Sequence, residues 1–260
     1  MLQKIKVRLD YNLPAPTDLL LQIEAAALPD QTIRSAHIDL GTPDHFARIP
    51  AEAGVGERIW LKVARNFRAT YEAEIEVIRT AADLASLPMT PPHLLGPEPT
   101  RYLLPSRYCR PDRFRPVVEE TFGGSDGGTQ VAQMRDWIEE HFEYVPGVSD
   151  AGTTATDTFL ARQGVCRDYA HVLVAMCRAA SIPARVASVF APSVEPPDFH
   201  AVAEVFLDGA WHLVDATGMD RADRMAKIGV GLDAAEVSFL TSFAPIELVD
   251  QEILVTEINE

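Results

Sequence analysis

The chain has 260 residues, 47% hydrophobic, 23% charged and 8% aromatic, which is enough for one large domain or two smaller ones with their own cores. Asp and Glu outnumber Lys and Arg by 38 to 23, for a formal charge of -15. That excess of acid excludes a nucleic-acid backbone or an anionic membrane as partner, since both recruit clustered cations.

The chain opens MLQKIKVRLDY, which lacks the apolar run of a secretory signal. No stretch approaches the roughly 18 uncharged apolar residues of a membrane span, so a cytoplasmic protein is expected. From Ile5 to Tyr11, apolar and charged residues alternate with the period of a half-buried strand. The same alternation returns at Ile59, Leu61 and Val63, at Tyr71 to Val77, and with less regularity over residues 33–40. These runs predict a β-rich, sandwich-like domain over residues 1–85. MTPPH and GPEPT then mark a Pro-rich connection over residues 86–105.

Beyond the connection the period changes. Residues 129–142 place Val131, Met134, Trp137 and Ile138 on one helical stripe. Residues 166–180 form the strongest helical pattern, with Cys166, Tyr169, Ala170, Leu173, Val174 and Cys177 on one apolar face. Pro183 ends it, because the residue before a proline avoids helical geometry. Strands follow at residues 185–190, 200–207, 211–215 and 246–258. Residues 106–245 are thus expected to form an α+β unit, with 246–260 as a C-terminal strand of unassigned partner sheet.

Three thiols, Cys109, Cys166 and Cys177, show no CxxC spacing and are too few for a disulfide scaffold. Cys177 lies roughly 16 Å along the helix from Cys166 at 1.5 Å per residue. A Cys/His zinc site needs closer ligand pairs than these, so neither a metal nor another cofactor is expected. Cys166 stands out because it begins the helix, where free N–H groups and the helix dipole favour an anion such as a thiolate. The structural alternative is a small apolar residue on a buried stripe. Asp168 sits in the first turn, suited to the dipole, and Gln163 just before the helix is a candidate oxyanion donor. Tyr169 is a candidate pocket residue, and Arg185 is read as structural.

Asp208-Gly209 is a two-residue hairpin signal. That turn pairs residues whose numbers sum to 417, which puts His200 and Asp215 on one face as diagonal neighbours about 7–8 Å apart by backbone. Their companions on that face are Val202, Phe206, Trp211 and Leu213, together with Glu204, whose role the sequence leaves open. A three-residue loop would separate the pair to opposite faces. A thiol at a helix start, followed by His and Asp on adjacent strands, is the arrangement of nucleophile, base and orienting acid.

RQGVCRDYAHVLVAMCRAASIPARV (162–186) and FHAVAEVFLDGAWHLVDAT (199–217) resemble the core of the transglutaminase-like superfamily, in particular its bacterial and archaeal cysteine protease-like members. LLPSRYCRPD (103–112) and IGVGLDAAEVSFLTS (228–242) are also similar to segments of those proteins, so the resemblance covers roughly residues 100–245. It implies a papain-like core with a nucleophile helix on an antiparallel sheet. It further implies Cys166 as nucleophile, His200 as base, Asp215 as orienting acid, and a thioester acyl-enzyme. Two positions depart from the pattern. Val202 stands where the family usually has Trp, and Ser181 where it has Gly. Loss of the Trp, which helps wall off water, favours hydrolysis of peptide or amide bonds over glutamine-directed amine incorporation. A non-catalytic binding domain on the same fold is the remaining alternative.

The implied substrate is a peptide or protein. Residues 200–260 carry twelve acids against Arg221, Arg224 and Lys227, and this points to a negative cleft that attracts cationic substrates. Nothing in the chain specifies an oligomer.

Overall fold

The computed structural model describes residues 1–258. Six strands come first: β1 (Leu2–Asn12), β2 (Thr17–Leu21), β3 (Gln31–Asp39), β4 (His45–Pro50), β5 (Glu57–Val63) and β6 (Phe67–Val77). The alternation in β1 is realised side chain by side chain, with Ile5, Val7, Leu9 and Tyr11 buried and Lys4 and Lys6 exposed. β2 and β4 were absent from the expected elements: β2 buries Thr17, Leu19 and Leu21 in alternation, but its sequence TDLLL does not alternate in polarity, and β4 buries none of its residues.

The second part contains α1 (Pro97–Arg101), α2 (Arg115–Phe122), α3 (Gly127–His141), β7 (Glu143–Tyr144), α4 (Ala155–Ala161), β8 (Gln163–Gly164) and α5 (Cys166–Ala179). An antiparallel sheet follows, from β9 (Ala184–Phe190), β10 (His200–Leu207), β11 (Ala210–Val214) and β12 (Ala226–Gly231), in the order β11-β10-β9-β12. The chain then returns to the N-terminal strands through β13 (Leu240–Ser242) and β14 (Glu247–Ile258).

Two four-stranded sheets, ordered β14-β1-β6-β3 and β13-β2-β5-β4, share a core that includes Ile5, Leu9, Leu19, Leu61 and Tyr71. The partner of the C-terminal strand is therefore β1, with Leu2 opposite Ile258. β13, which falls inside the segment expected to belong to the second unit, pairs with β2 instead. The sandwich is closed by the last strands of the chain.

α5 departs from the expected amphipathic helix. Every residue from Asp168 to Arg178 is buried, including His171 and Arg178, because β9 and β10 cover one side and the aromatic cluster around α2, α3 and α4 covers the others. A helix buried all round must satisfy its polar groups internally. Arg178 does so by donating to the carbonyls of Ala184, Leu104 and Leu232. No helix among the described residues is long and apolar enough to cross a membrane.

Candidate active site

The start of α5 is fixed by its own third residue. Asp168 Oδ2 accepts the Val165 N–H at 2.9 Å, which supplies one of the partners that the first turn of a helix cannot provide internally. Just upstream, β8 pairs in parallel with β7 and pins the approach to the helix. Cys166 is half-buried, whereas Cys109 and Cys177 are fully buried.

His200 opens β10 and Asp215 follows the end of β11. The hairpin between them turns on Asp208 and Gly209, both at positive φ (48° and 75°), as a type I′ turn requires. The register is the one expected from the turn, with Ala203 opposite Val214 and Phe206 opposite Trp211. His200 Nε2 lies 2.9 Å from Asp215 Oδ2. Asp215 is held in turn by the Thr217 N–H and Oγ1 at 2.9 and 2.7 Å and by the Asp220 N–H at 3.2 Å.

With Nε2 donating to the carboxylate, Nδ1 is the free nitrogen, and it has no hydrogen-bond partner at standard geometry. Burial works against a charged ring, but the Asp215 hydrogen bond and the neighbouring Cys166 outweigh it and push His200 up to about 10. The Asp215 carboxyl is drawn below its ordinary range. Burial acts against this and the His200 contact overcomes it.

Cys166 and His200 line one cleft of about 690 Å³. Its charged lining residues are Arg107, Arg167, Asp150 and Asp198. The acid-rich stretch from residue 200 onward contributes none of them, contrary to the expectation of a negative cleft. Its carboxylates are engaged elsewhere. Asp215 holds His200, Glu204 pairs with Arg185 and Lys227, Asp220 accepts from Ser193 N–H, and Glu236 meets Arg101. A cationic-substrate preference therefore loses its ground.

The remaining candidates are not brought to the cleft. Gln163 is exposed on β8 and lines a separate depression with Thr153 and Asp157. Tyr169 is buried in the helical core with its ring 5.5 Å from Phe142. Arg185 packs over the rings of Trp211 and Tyr102 and bonds Glu204 and Glu98 at 2.7 Å each.

Two site residues escaped sequence reading. Tyr144 is drawn to Cys166 by the short β7–β8 pairing, and its hydroxyl is made less acidic by burial and then by Cys166. No periodicity marks a two-residue strand. His171, one turn and a half beyond Cys166, lines the cleft and stacks on Tyr108 at 4.9 Å. Its Nε2 accepts the Ala234 N–H at 3.1 Å, which puts the proton of the neutral ring on Nδ1. Burial holds it neutral by pulling it down to about 4.

Residues 116–216 match the family model described as the transglutaminase-like superfamily, a span that includes Cys166, His200 and Asp215. The crystal structure of a candidate cysteine protease from Cytophaga hutchinsonii is similar over 100% of this chain and 91% of its own, with a TM-score of 0.92 and 28% identity. The periplasmic domain of TgpA from Pseudomonas aeruginosa aligns with 82% of this chain and 88% of its own at a TM-score of 0.43 and 19% identity. An uncharacterized protein of Mycobacterium leprae is 25% identical over 111 residues, which span 39% of this chain and 39% of that protein's length. Residues 116–216 are thus a transglutaminase-like core, and the likeness in fold to the Cytophaga hutchinsonii structure extends over the rest of the chain.

Proposed function

We propose that the chain is a thiol-dependent acyl-transfer enzyme that hydrolyses peptide or amide bonds through Cys166, His200 and Asp215. The observation that carries this reading is the 2.9 Å His200–Asp215 bond, which leaves an unpartnered Nδ1 in the same cleft as the half-exposed thiol at the start of α5. Nδ1 takes the thiol proton, and Asp215 holds the ring and its positive charge. The sulfur attacks the carbonyl carbon. The Cys166 and Arg167 N–H groups, the first two amides of α5, have no acceptor within the helix and favour the developing oxyanion. The C–N bond then breaks as His200 returns its proton to the leaving amine. Water, activated by His200, cleaves the thioester to release the acid and restore the thiol.

Val202 supports water as acceptor. It is fully buried and is not among the cleft-lining residues, so it offers no aromatic shield where relatives usually carry Trp. The test is incubation with a p-nitrophenyl acyl ester, with mass spectrometry of the protein and product analysis with and without a primary amine. An acyl adduct on Cys166, absent from Cys166→Ala, with free acid as main product is expected. Predominant amine adducts would make the protein an amine-incorporating transferase. No adduct at Cys166 would leave a non-catalytic binding domain.

A further inference from the structure

One wall of the cleft is built by residues 234, 235 and 237–242. This segment is tethered at two points beside the chemistry. Ala234 N–H bonds His171 on α5 at 3.1 Å. Phe239 stacks on Phe199, the neighbour of His200, with ring centroids 4.6 Å apart and planes 13° apart. Between those tethers and the sandwich runs β13, an edge strand in the order β13-β2-β5-β4.

Alternation of the ladder decides where its backbone points. In an antiparallel pair, residues that exchange hydrogen bonds with the partner alternate with residues whose N–H and C=O face away. Gln22 N–H bonds Phe239 O at 2.9 Å and Phe243 N–H bonds Asp18 O at 3.2 Å, while Thr241 sits opposite Leu20. Phe239, Thr241 and Phe243 are thus turned toward β2, and Leu240 and Ser242 toward the open edge. Leu240, Thr241 and Ser242 line the cleft and no residue of β2 does, so the open edge faces the cleft. The Leu240 carbonyl already accepts the Ser238 hydroxyl at 2.9 Å. The Leu240 N–H and the Ser242 N–H and C=O have no such partner among the described residues.

We infer that β13 is the substrate platform: an extended peptide adds to its open edge as a further strand, pairing with the backbone of Leu240 and Ser242, and so lies across Cys166. This deepens the acyl-transfer reading and rests on it for the identity of the scissile bond, but not for the binding mode. Edge-strand addition takes affinity from main-chain hydrogen bonds and is therefore tolerant of sequence. It selects unfolded or extended chains over helical or folded ones, because only these present free backbone groups in register.

The test separates binding from chemistry. Fluorescein-labelled casein peptides are titrated into full-length Cys166→Ala and followed by anisotropy. The variants Leu240→Pro and Ser242→Pro, made in that background, each remove one outward N–H while leaving the bonds to β2 in place, and proline is tolerated on an edge. Each is expected to raise Kd about tenfold, whereas Leu240→Ala and Ser242→Ala shift it less than twofold. Circular dichroism and thermal melting establish that the proline variants are folded. Peptide binding that is absent from the Cys166→Ala parent, or unchanged in folded proline variants, overturns the platform. Ester acylation of Cys166 in the wild-type chain is read separately. If it fails while peptide binding and its proline sensitivity hold, the acyl-transfer reading falls and the platform stands.

Discussion

The carboxyl group of Asp168 occupies the space that a side chain on Gly164 would need. A Cβ at position 164 would lie 2.7 Å from Asp168 Cβ and 3.0 Å from Oδ2, and Asp168 is fully buried with no room to retreat. Gly164→Ala should therefore break the Asp168–Val165 bond and displace the start of α5. Loss of such a cap costs about 1 kcal/mol, or roughly 2–4 °C in Tm for a chain of this size. The larger effect falls on Cys166, where a misplacement of about 1 Å reduces acylation on the order of 100-fold. In the double variant Gly164→Ala, Asp168→Gly, which removes Cβ together with the carboxyl group, the obstruction is gone, so its acylation rate should be no lower than that of Asp168→Gly alone. A double variant that is additively worse would show that the two positions act independently.

The three thiols should react in a fixed order. Burial pushes the Cys109 thiol up to about 12 and raises Cys177 as well, while Cys166 alone reaches the cleft. Iodoacetamide at neutral pH should label one thiol per native chain, at Cys166, and three after denaturation in urea. Peptide mapping after a time course checks this. Faster labelling of Cys109 or Cys177 would remove Cys166 from its proposed role.

The pH profile follows from His200. Its folded pKa of about 10 lies above the ordinary value near 6.5. The stability it contributes is therefore fully present below about 6.5 and lost as pH rises through about 10. The imidazolium that would protonate the leaving group in the proposed mechanism disappears over the same limb, so amide turnover should fall as pH approaches 10. Asp215→Asn removes the carboxylate hydrogen bond that raises the ring, and should move that alkaline limb to lower pH while reducing kcat. Initial rates with a peptide amide between pH 6 and 11 measure both. An unmoved limb in Asp215→Asn would mean that Asp215 does not set the charge state of His200.

The hairpin was legible because its turn is encoded by two adjacent residues, Asp208 and Gly209, and one turn fixes the register of everything outward from it. That is why His200 and Asp215 could be put on one face from sequence. α5 was legible as a helix but not as a buried one. His171, Arg178 and Asp168 look like a solvated face until β9, β10 and the other helices are in place. The acidic stretch misled for a related reason. Composition counts charges but not their partners, and Asp215, Glu204 and Glu236 each meet a cation or a ring already. The completion of the sandwich by β13 and β14 depends on contacts more than 200 residues apart, such as Leu2 with Ile258, and no local pattern reports these.

Glu204 shares the His200 face but belongs to a different structure. It is fully buried, and its carboxyl contacts Lys227 on one side and Arg185 at 2.7 Å on the other. These cations hold its pKa below the usual range despite burial. Glu98 extends the chain of charges from α1 to Arg185 at 2.7 Å. The network ties β9, β10 and β12 together where an apolar wall was expected. Removing one partner of a buried pair strands the other charges, at about 3–5 kcal/mol. Glu204→Gln should accordingly lower Tm by roughly 10 °C, yet leave ester acylation per folded molecule close to wild type. Glu98→Gln, at a site 45% exposed, should cost less than about 1 kcal/mol because solvent screens it. Thermal melting beside a Cys166 acylation assay resolves the two effects. A Glu204→Gln protein that melts normally but acylates slowly would assign Glu204 to the chemistry of the cleft and not to the tie between strands.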